Sequence, residues 1–401
     1  MKTSNCKITG KKTKNIIDFG RMPIANGFLK KKDFASEYFF NLGVSFSESL
    51  SLLQLNEHPK PIQMFNKNYP FYTSSSNHMK YHFKKFANWA KKKFIKKNLS
   101  KIVEVGSNDG TFLKNFSKKN FDVLGFEPSK NVSDLANKIG IKSVNSFFNK
   151  NNLKNAADFV GKTDIIFGAN VVCHIPNLIE FIETADVLLN ESGKIIFEEP
   201  YLGSMYKKTS YDQIYDEHIF IFSITSIKKI FEQYDFQIID AIKQTTHGGS
   251  MRYILERKNS KNLNKKIKSL LEKEKKDKID CLEGAVNFKK DCELSKERLK
   301  EKLFKIKKKG HSICGYGATS KSTTILNYCD IGSDIIDCIY DTTKDKIGKF
   351  SPGKHIPIID HKFFNKKFYR YAFLFAWNHK NEIEKKEKAF LNSGGKWIMH
   401  L

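Results

Sequence analysis

Residues 101–116 read KIVEVGSNDGTFLKNF. A short apolar run ends in a Gly-Ser-Asn-Asp-Gly turn, and a helical pattern follows. A glycine-rich turn between a buried strand and a helix lets a ligand approach backbone N–H groups. This is the first turn of a doubly wound α/β sheet, where ligands bind beyond the carboxyl ends of the strands. The next strand is expected over Asp122–Phe126 and ends in Glu127. An acid there is placed to accept hydrogen bonds from ribose hydroxyls.

The glycines depart from G-x-G-x-x-G, because Ser107, Asn108 and Asp109 separate Gly106 from Gly110. An acid in the turn would repel a pyrophosphate and attract a cation. S-adenosylmethionine, with ribose hydroxyls, a sulfonium and an amino acid end, suits that turn better than NAD does. The candidate cofactor residues are Glu104, Gly106, Asn108, Asp109, Gly110, Glu127, Pro128 and Asn170.

Downstream, Thr163–Ala169 reads as a buried strand, Ile179–Leu189 as a helix and Lys194–Phe197 as a strand running into Glu198–Tyr201. Asn170, His174 and Tyr201 lie at or just past strand ends, in the ligand-binding position. His174 reads equally as a substrate contact or a capped loop histidine. Residues 211–223, YDQIYDEHIFIFS, gather Asp212, Tyr215, Asp216, Glu217 and His218. Carboxylates beside an imidazole equip a loop for proton transfer near neutral pH, although exposed loops carry the same residues. A helix over 223–234, capped by Ser223 or Thr225, and a strand over Phe236–Ile242 follow. THGGSMRYILER (246–257) is then a turn feeding a strand, and it contributes His247 and Arg252.

Upstream, residues 1–80 are irregular apart from a strand over Leu50–Leu55. An amphipathic helix is expected over His78–Lys97, with Tyr81, Phe83, Phe86 and Trp89 at helical spacing. Toward the other end, Asn259–Lys309 reads as long charged connecting helices. HSICGYGATSKSTTILNY (311–328) repeats the strand, glycine turn and helix. Its hydroxyls and Lys321, beside Tyr316, suit phosphate, although P-loop spacing is absent. Strands are expected over Ile335–Tyr340, in YAFLFAWN and in the closing GGKWIMHL.

With 401 residues and 40% hydrophobic content, the chain has material for two or three domains. The formal net charge of +27 comes almost wholly from lysine; Arg21, Arg252, Arg257, Arg298 and Arg370 are the arginines. Base readers and phosphate clamps lean on arginine. The lysines also run from end to end, so they read as a solvated surface that draws in an anionic small substrate. Nucleic acid is not expected as a partner. Seven cysteines without a CxxC fit a reducing cytoplasm. MKTSNCKITGKKTK has no signal-peptide core, and no apolar run is long enough for a bilayer, so no membrane partner is expected.

Together, VEVGSNDGTFL, VLGFEPSKN, ANVVCHIPNL, DQIYDEHIFIFS, THGGSMRY, GYGATSKSTTILNY, PGKHIPIID and AWN resemble the deoxysugar C-methyltransferases, in family order over nearly the whole chain. The resemblance implies an α/β protein with a small N-terminal domain (1–77) and a class I methyltransferase domain (78–258). Connecting helices (259–309) and a C-terminal Rossmann-like domain (310–401) would complete it. It implies a nucleotide-linked sugar as substrate; the chain is expected to act as a monomer or homodimer. It also implies C-methylation alpha to a ketone by proton abstraction, with methyl transfer to the carbanion. His218 matches the general base, Glu217 would orient its ring, and Tyr215 would bind the developing oxyanion. Tyr72 matches a tyrosine reaching the sugar, and His174 a histidine near the substrate. Tyr201, His247, Arg252, Tyr316 and Lys321 complete the expected substrate set.

Three departures stand out. Asp216 replaces a family histidine and has no role assigned. Ile221 stands where the family often has tyrosine. Of the cysteines that hold a structural zinc in the family, only Cys6 remains, with Thr9, Ser47 and Leu50 in the other places. One thiolate cannot hold a tetrahedral zinc, so none is expected. The alternatives are an O- or N-methyltransferase of a related sugar or small metabolite and, motivated by charge, an RNA-binding or RNA-methylating protein.

Overall fold

The computed structural model describes residues 4–67, 69–95, 99–116, 119–259 and 263–401. β1 (Lys14–Pro23), β2 (Phe39–Ser47) and β3 (Leu52–Leu55) form an antiparallel meander. Leu42, Val44, Phe46, Leu52, Leu53 and Leu55 bury both faces of its inner strands. The strand expected from Leu50 begins two residues later, because Glu48–Ser51 make the turn out of β2.

α1 (Asn77–Phe94) starts where the Ser76 hydroxyl accepts the Met79 N–H. Its expected extension to Lys96 and Lys97 lies outside the described residues. Met79, Phe83, Phe86, Ala87 and Ala90, three or four apart, face the core. Tyr81 points outward, with Lys85 over its ring.

β4 (Ser100–Val105) begins the central sheet, followed by β5 (Phe121–Phe126), α2 (Lys130–Lys138) and β6 (Ser143–Val144). Then come β7 (Thr163–Ala169), α3 (Leu178–Leu188), β8 (Leu189–Pro200), α4 (Leu202–Lys208) and β9 (Phe220–Ile221). α5 (Ile224–Phe231), capped by Ser223, leads to β10 (Phe236–Gln244) and β11 (Ser250–Arg257). The strand order is β10-β11-β8-β7-β4-β5-β6, with β11 alone antiparallel to its neighbours. This is the doubly wound α/β sheet expected from the glycine turn, in the strand order of the class I methyltransferase domain that the resemblance implies.

The stretch over 1–80, read as irregular apart from one strand, holds β1 and β2 as well, and a second local expectation fails. After the glycine turn the chain forms only a short 3-10 turn, Leu113–Asn115, rather than a helix. The Asn115 amide donates to the carbonyls of Thr111 and Phe112, and such local bonds compete with helical ones.

β9 crosses to the N-terminal meander, giving a four-stranded sheet β1-β2-β3-β9 with Leu53 opposite Ile221. The loop at 211–219 is thereby strung between α4 and a strand of another sheet.

The connecting helices are α6 (Lys265–Lys276) and α7 (Leu282–Lys308), with residues 260–262 of the expected span outside the described residues. Val286 and Leu294, read from the spacing as part of the apolar stripe, are solvent-exposed on α7. β12 (Ile313–Tyr316), α8 (Ser320–Tyr328), β13 (Ile339–Asp341), β14 (Ile358–Asp360), β15 (Tyr371–Leu374) and β16 (Lys396–Ile398) complete the chain. Their sheet is wholly parallel, in the order β14-β13-β12-β15-β16. The strand expected from Ile335 starts at Ile339, because Ile335 and Ile336 close a turn onto the Gly332 carbonyl. α8 packs back on the rest: Tyr328 meets Phe19 of β1 at 4.7 Å and Tyr211 at 5.4 Å.

Candidate active site

The three sheets meet around a cleft of about 1430 Å³. Its walls come from the glycine turn and strand ends of the central sheet, the 211–219 loop, and the start of α8. The Lys60–Asn77 strap and Asn26 complete it.

At the cofactor end, Gly106 has φ +67°, and a Cβ there would meet Val171 Cγ2 at 2.7 Å. Only glycine fits this position without strain. Glu127 holds the turn: Oε2 accepts the Asn108 N–H at 3.0 Å and Oε1 the Ser129 N–H at 2.8 Å. Each oxygen keeps a lone pair for a hydroxyl. Pro128 and Asn170 also line the cleft. Asn170 adopts φ +51°, donates through Nδ2 to His247 Nε2, and leaves Oδ1 buried without a partner. A glycine cradle, an acid at the second strand tip and a buried unpaired amide oxygen suit a nucleoside with polar substituents.

Three expected cofactor residues sit elsewhere. Asp109 accepts the Ser74 N–H at 2.8 Å and the Thr111 hydroxyl at 2.6 Å, so the carboxylate read as a cation trap instead anchors the strap. Asn108, which itself stays on the cleft wall, helps to anchor the strap, its Oδ1 accepting the Thr73 N–H and its Nδ2 donating to the Phe71 carbonyl. Gly110 lies against Ala136 and Ile141. Glu104 is buried beneath the turn, off the cleft wall, with Oε2 unpartnered. Burial, then the nearby carboxyls of Asp109 and Glu127, push its pKa well up.

On the 211–219 loop, the His218 ring is buried, and its Nδ1 lies 2.6 Å from the Gln213 carbonyl. A carbonyl only accepts, so Nδ1 carries the proton and Nε2 the lone pair. Nε2 receives the Tyr215 hydroxyl at 2.8 Å. Burial is the main cause that lowers the His218 pKa to about 4, with the Lys321 charge adding to it. The imidazole is thus neutral at physiological pH, the form a base requires.

Glu217 does not orient that ring. Its Oε1 accepts from Asn26 Nδ2 at 2.7 Å and its Oε2 from the Tyr69 hydroxyl at 3.4 Å. Backbone does the orienting, through Gln213, whose own side chain donates to the His247 carbonyl at 2.6 Å. Asp216 finds a partner: its Oδ1 accepts the Ala25 N–H at 2.8 Å. Burial raises both carboxyls toward neutrality, and Glu217 further raises Asp216.

Tyr72, His174, His247, Tyr316 and Lys321 line the cleft. The Tyr72 hydroxyl accepts from Asn131 on α2, which sets it at the cofactor end; Tyr69 is the strap tyrosine that reaches the loop. His174 stacks between Phe65 and His218 with Nε2 unpaired. Tyr316 spends its hydroxyl on Glu387. Lys321 is buried, within 3.5 Å of the His247 carbonyl and Asn378 Oδ1.

Tyr201 and Arg252 are corrections. Tyr201 donates to Glu274, a buried carboxylate that also accepts from Ile224 and Thr225 and so caps α5. Arg252 lies opposite Glu198 in the β11–β8 register, pairs with it, and stacks on Phe86 at 3.6 Å. Both are structural, away from the cleft wall. Asn26, Tyr69 and Lys346 line the cleft without having been singled out from the sequence. Lys346 stood in a chain crowded with lysines, and Asn26 in a segment without any chemical motif.

Cys173, His174 and His218 place one potential metal-ligating atom each within 4.8 Å of one another. The set fits a metal poorly, because Tyr215 occupies His218 Nε2 and burial beside Glu199 raises the Cys173 thiol well above its ordinary range. Around Cys6, the sulfur accepts the Thr9 N–H at 3.5 Å, with Ser47 as a further partner. One sulfur among hydroxyls is not a zinc donor set.

Residues 245–401 match a family described as "C-methyltransferase C-terminal domain", residues 78–241 "Methyltransferase domain", and residues 6–65 "Putative zinc binding domain". The last match covers the segment in which Cys6 is the sole cysteine. The C-methyltransferase NovU of Streptomyces niveus is 27% identical over 387 residues, covering 96% of this chain and 92% of that protein. Among solved structures, the PH0226 protein of Pyrococcus horikoshii OT3 overlaps 48% of this chain and 97% of its own, at 13% identity and TM-score 0.38. Magnesium protoporphyrin IX methyltransferase of Synechocystis PCC 6803 overlaps 44% and 79%, at 14% and 0.34. Neither overlap is close. Three matched regions in order, and a relative aligned over nearly the whole chain, support an S-adenosylmethionine-dependent C-methyltransferase.

Proposed function

We propose that the protein C-methylates a nucleotide-linked keto sugar, with His218 as the base that removes a proton from the carbon beside the carbonyl. The observation that carries this reading is the His218 tautomer. A buried neutral imidazole, its Nδ1 proton held by a backbone carbonyl, turns its Nε2 lone pair to Tyr215 in the cleft wall. When Tyr215 releases Nε2 to take up a substrate proton, its hydroxyl becomes free to donate to the enolate oxygen. S-adenosylmethionine, when bound, supplies an electrophilic methyl group. Gly106, Asn108, Glu127, Pro128 and Asn170 would hold it.

Support for an anionic nucleotide comes from the far wall. Lys321 and Lys346 stand with Thr319 and Ser320 at the start of α8, where backbone N–H groups and cations suit a diphosphate. In this reading residues 1–77, 78–258 and 310–401 contribute strap, donor site and nucleotide site respectively, in the cytoplasm.

The test is a panel of nucleotide-linked keto sugars offered with labelled S-adenosylmethionine. Product NMR should show a new methyl carbon bonded to the ring carbon adjacent to the ketone. A methyl on oxygen or nitrogen would replace this reading with O- or N-methylation.

A further inference from the structure

Ala25 and Asn26 follow β1 and occupy a junction between parts of the chain far apart in sequence. On one side they meet the 211–219 loop: the Ala25 N–H donates to Asp216 Oδ1 at 2.8 Å, and Asn26 Nδ2 to Glu217 Oε1 at 2.7 Å. On the other side they meet the first turn of α8: the Ala25 carbonyl accepts the Thr323 hydroxyl at 2.9 Å, and Asn26 Oδ1 the Ser320 hydroxyl at 3.0 Å. Residues 320 and 323 are three apart, so they share one helix face. Two consecutive residues therefore read two consecutive carboxyls and one face of a helix.

The Asn26 amide cannot turn over. A flip would set its oxygen against the Glu217 carboxylate, two acceptors facing each other, and its NH₂ toward Ser320. Glu217 has the Asn26 amide and the Tyr69 hydroxyl as its hydrogen-bond donors, and Lys346 adds a favourable charge. Asn26, Glu217, Ser320 and Lys346 all line the cleft.

We infer that Asn26 is a positioning residue: it fixes the Glu217 carboxylate beside the base loop and links it to Ser320, at the end of the cleft where the substrate's phosphates would lie. The inference deepens the proposed function and rests on it for the placement of the phosphates. The link to Glu217 stands on the hydrogen bonds alone. Asp216, which fills a family histidine's place, belongs to the same clamp, because it holds the backbone that carries Asn26.

The test reads Glu217 directly, without substrate. In full-length protein carrying ¹³C-labelled glutamate, the Glu217 carboxyl is followed by difference infrared titration against Glu217→Gln. Asn26→Leu removes the amide donor and should raise the Glu217 pKa by about one unit. Asn26→Asp, nearly isosteric, adds a like charge and should raise it further. Ser320→Ala keeps the amide donor and should shift it less than either. An unchanged Glu217 titration in folded Asn26→Leu or Asn26→Asp protein overturns the inference. It does so whether or not any sugar proves to be a substrate. With an active sugar in hand, Asn26→Asp should lower kcat at least tenfold while leaving KM for the methyl donor within twofold. A change in thermal stability alone, with kcat and the titration unmoved, would reduce Asn26 to a structural clamp and also overturn it.

Discussion

His218 donates its Nδ1–H to the Gln213 carbonyl in a hydrogen bond, and that bond decides which nitrogen can serve as a base. The residue type and its acidic neighbours were legible from YDQIYDEHIFIFS. The tautomer was not, because it depends on a backbone oxygen five positions away folding back over the ring. Nor was the task of Glu217, which faces Asn26 across 191 residues of chain. Two outcomes follow at this scale. Lys321 lowers the His218 pKa, so Lys321→Met should raise it from about 4 by roughly half a unit to one unit. The acid limb of kcat/KM, which marks the base losing its lone pair, should move to higher pH by the same amount. Asp216 and Glu217 concern stability instead. Both have folded pKa values raised above the unfolded carboxylate range near 4. The folded chain then holds protons more tightly than the unfolded one. The stability this contributes is fully present below about pH 4 and is lost as pH rises through neutrality. Their contribution to the melting temperature should fall between pH 5 and pH 8, so Asp216→Asn should make the change over that range less negative than in wild type by roughly 3 °C.

At the scale of elements, the turn after β4 was the best-read part of the chain, and the helix after it the worst. Glycines at 106 and 110 are needed for reasons visible in the sequence pattern. The failed helix came from Asn115 bonding two preceding carbonyls, a local competition that hydrophobic spacing does not register. Asp109 was misread for a related reason: its partner N–H belongs to Ser74 on the strap, which has no periodic signal. Gly106→Ala tests the cradle. The added Cβ meets Val171 at 2.7 Å with φ at +67°, so S-adenosylmethionine binding measured by calorimetry should weaken about tenfold. Binding within twofold of wild type would remove Gly106 from the donor site.

At the scale of the molecule, the core is shared. Residues of the N-terminal meander, the central sheet and the C-terminal segment pack in one cluster, and β9 physically joins the base loop to β3. Most strands of the central and C-terminal sheets were readable from apolar runs and glycine turns, but β1 and β2 lay in a stretch read as irregular. That Asn26 and Tyr69 would line the cleft was not readable, since those contacts exist only once distant segments dock. The same packing would hold the N-terminal segment together without a metal. Elemental analysis should find less than about one zinc per ten chains, and a chelator should leave the melting temperature unchanged; stoichiometric zinc would contradict this. Among the described residues no helix is long and apolar enough to cross a membrane.

The central claim is that His218 removes a proton from carbon, and its most direct test separates that step from methyl transfer. The best-turned-over keto sugar nucleotide is incubated with enzyme in D₂O without S-adenosylmethionine, and deuterium at the carbon beside the ketone is followed by NMR. Wild type should exchange that position, and His218→Ala should slow exchange by about 10²–10⁴-fold while S-adenosylmethionine binding stays within twofold. Exchange and methylation by His218→Ala at near the wild-type rate would contradict the account.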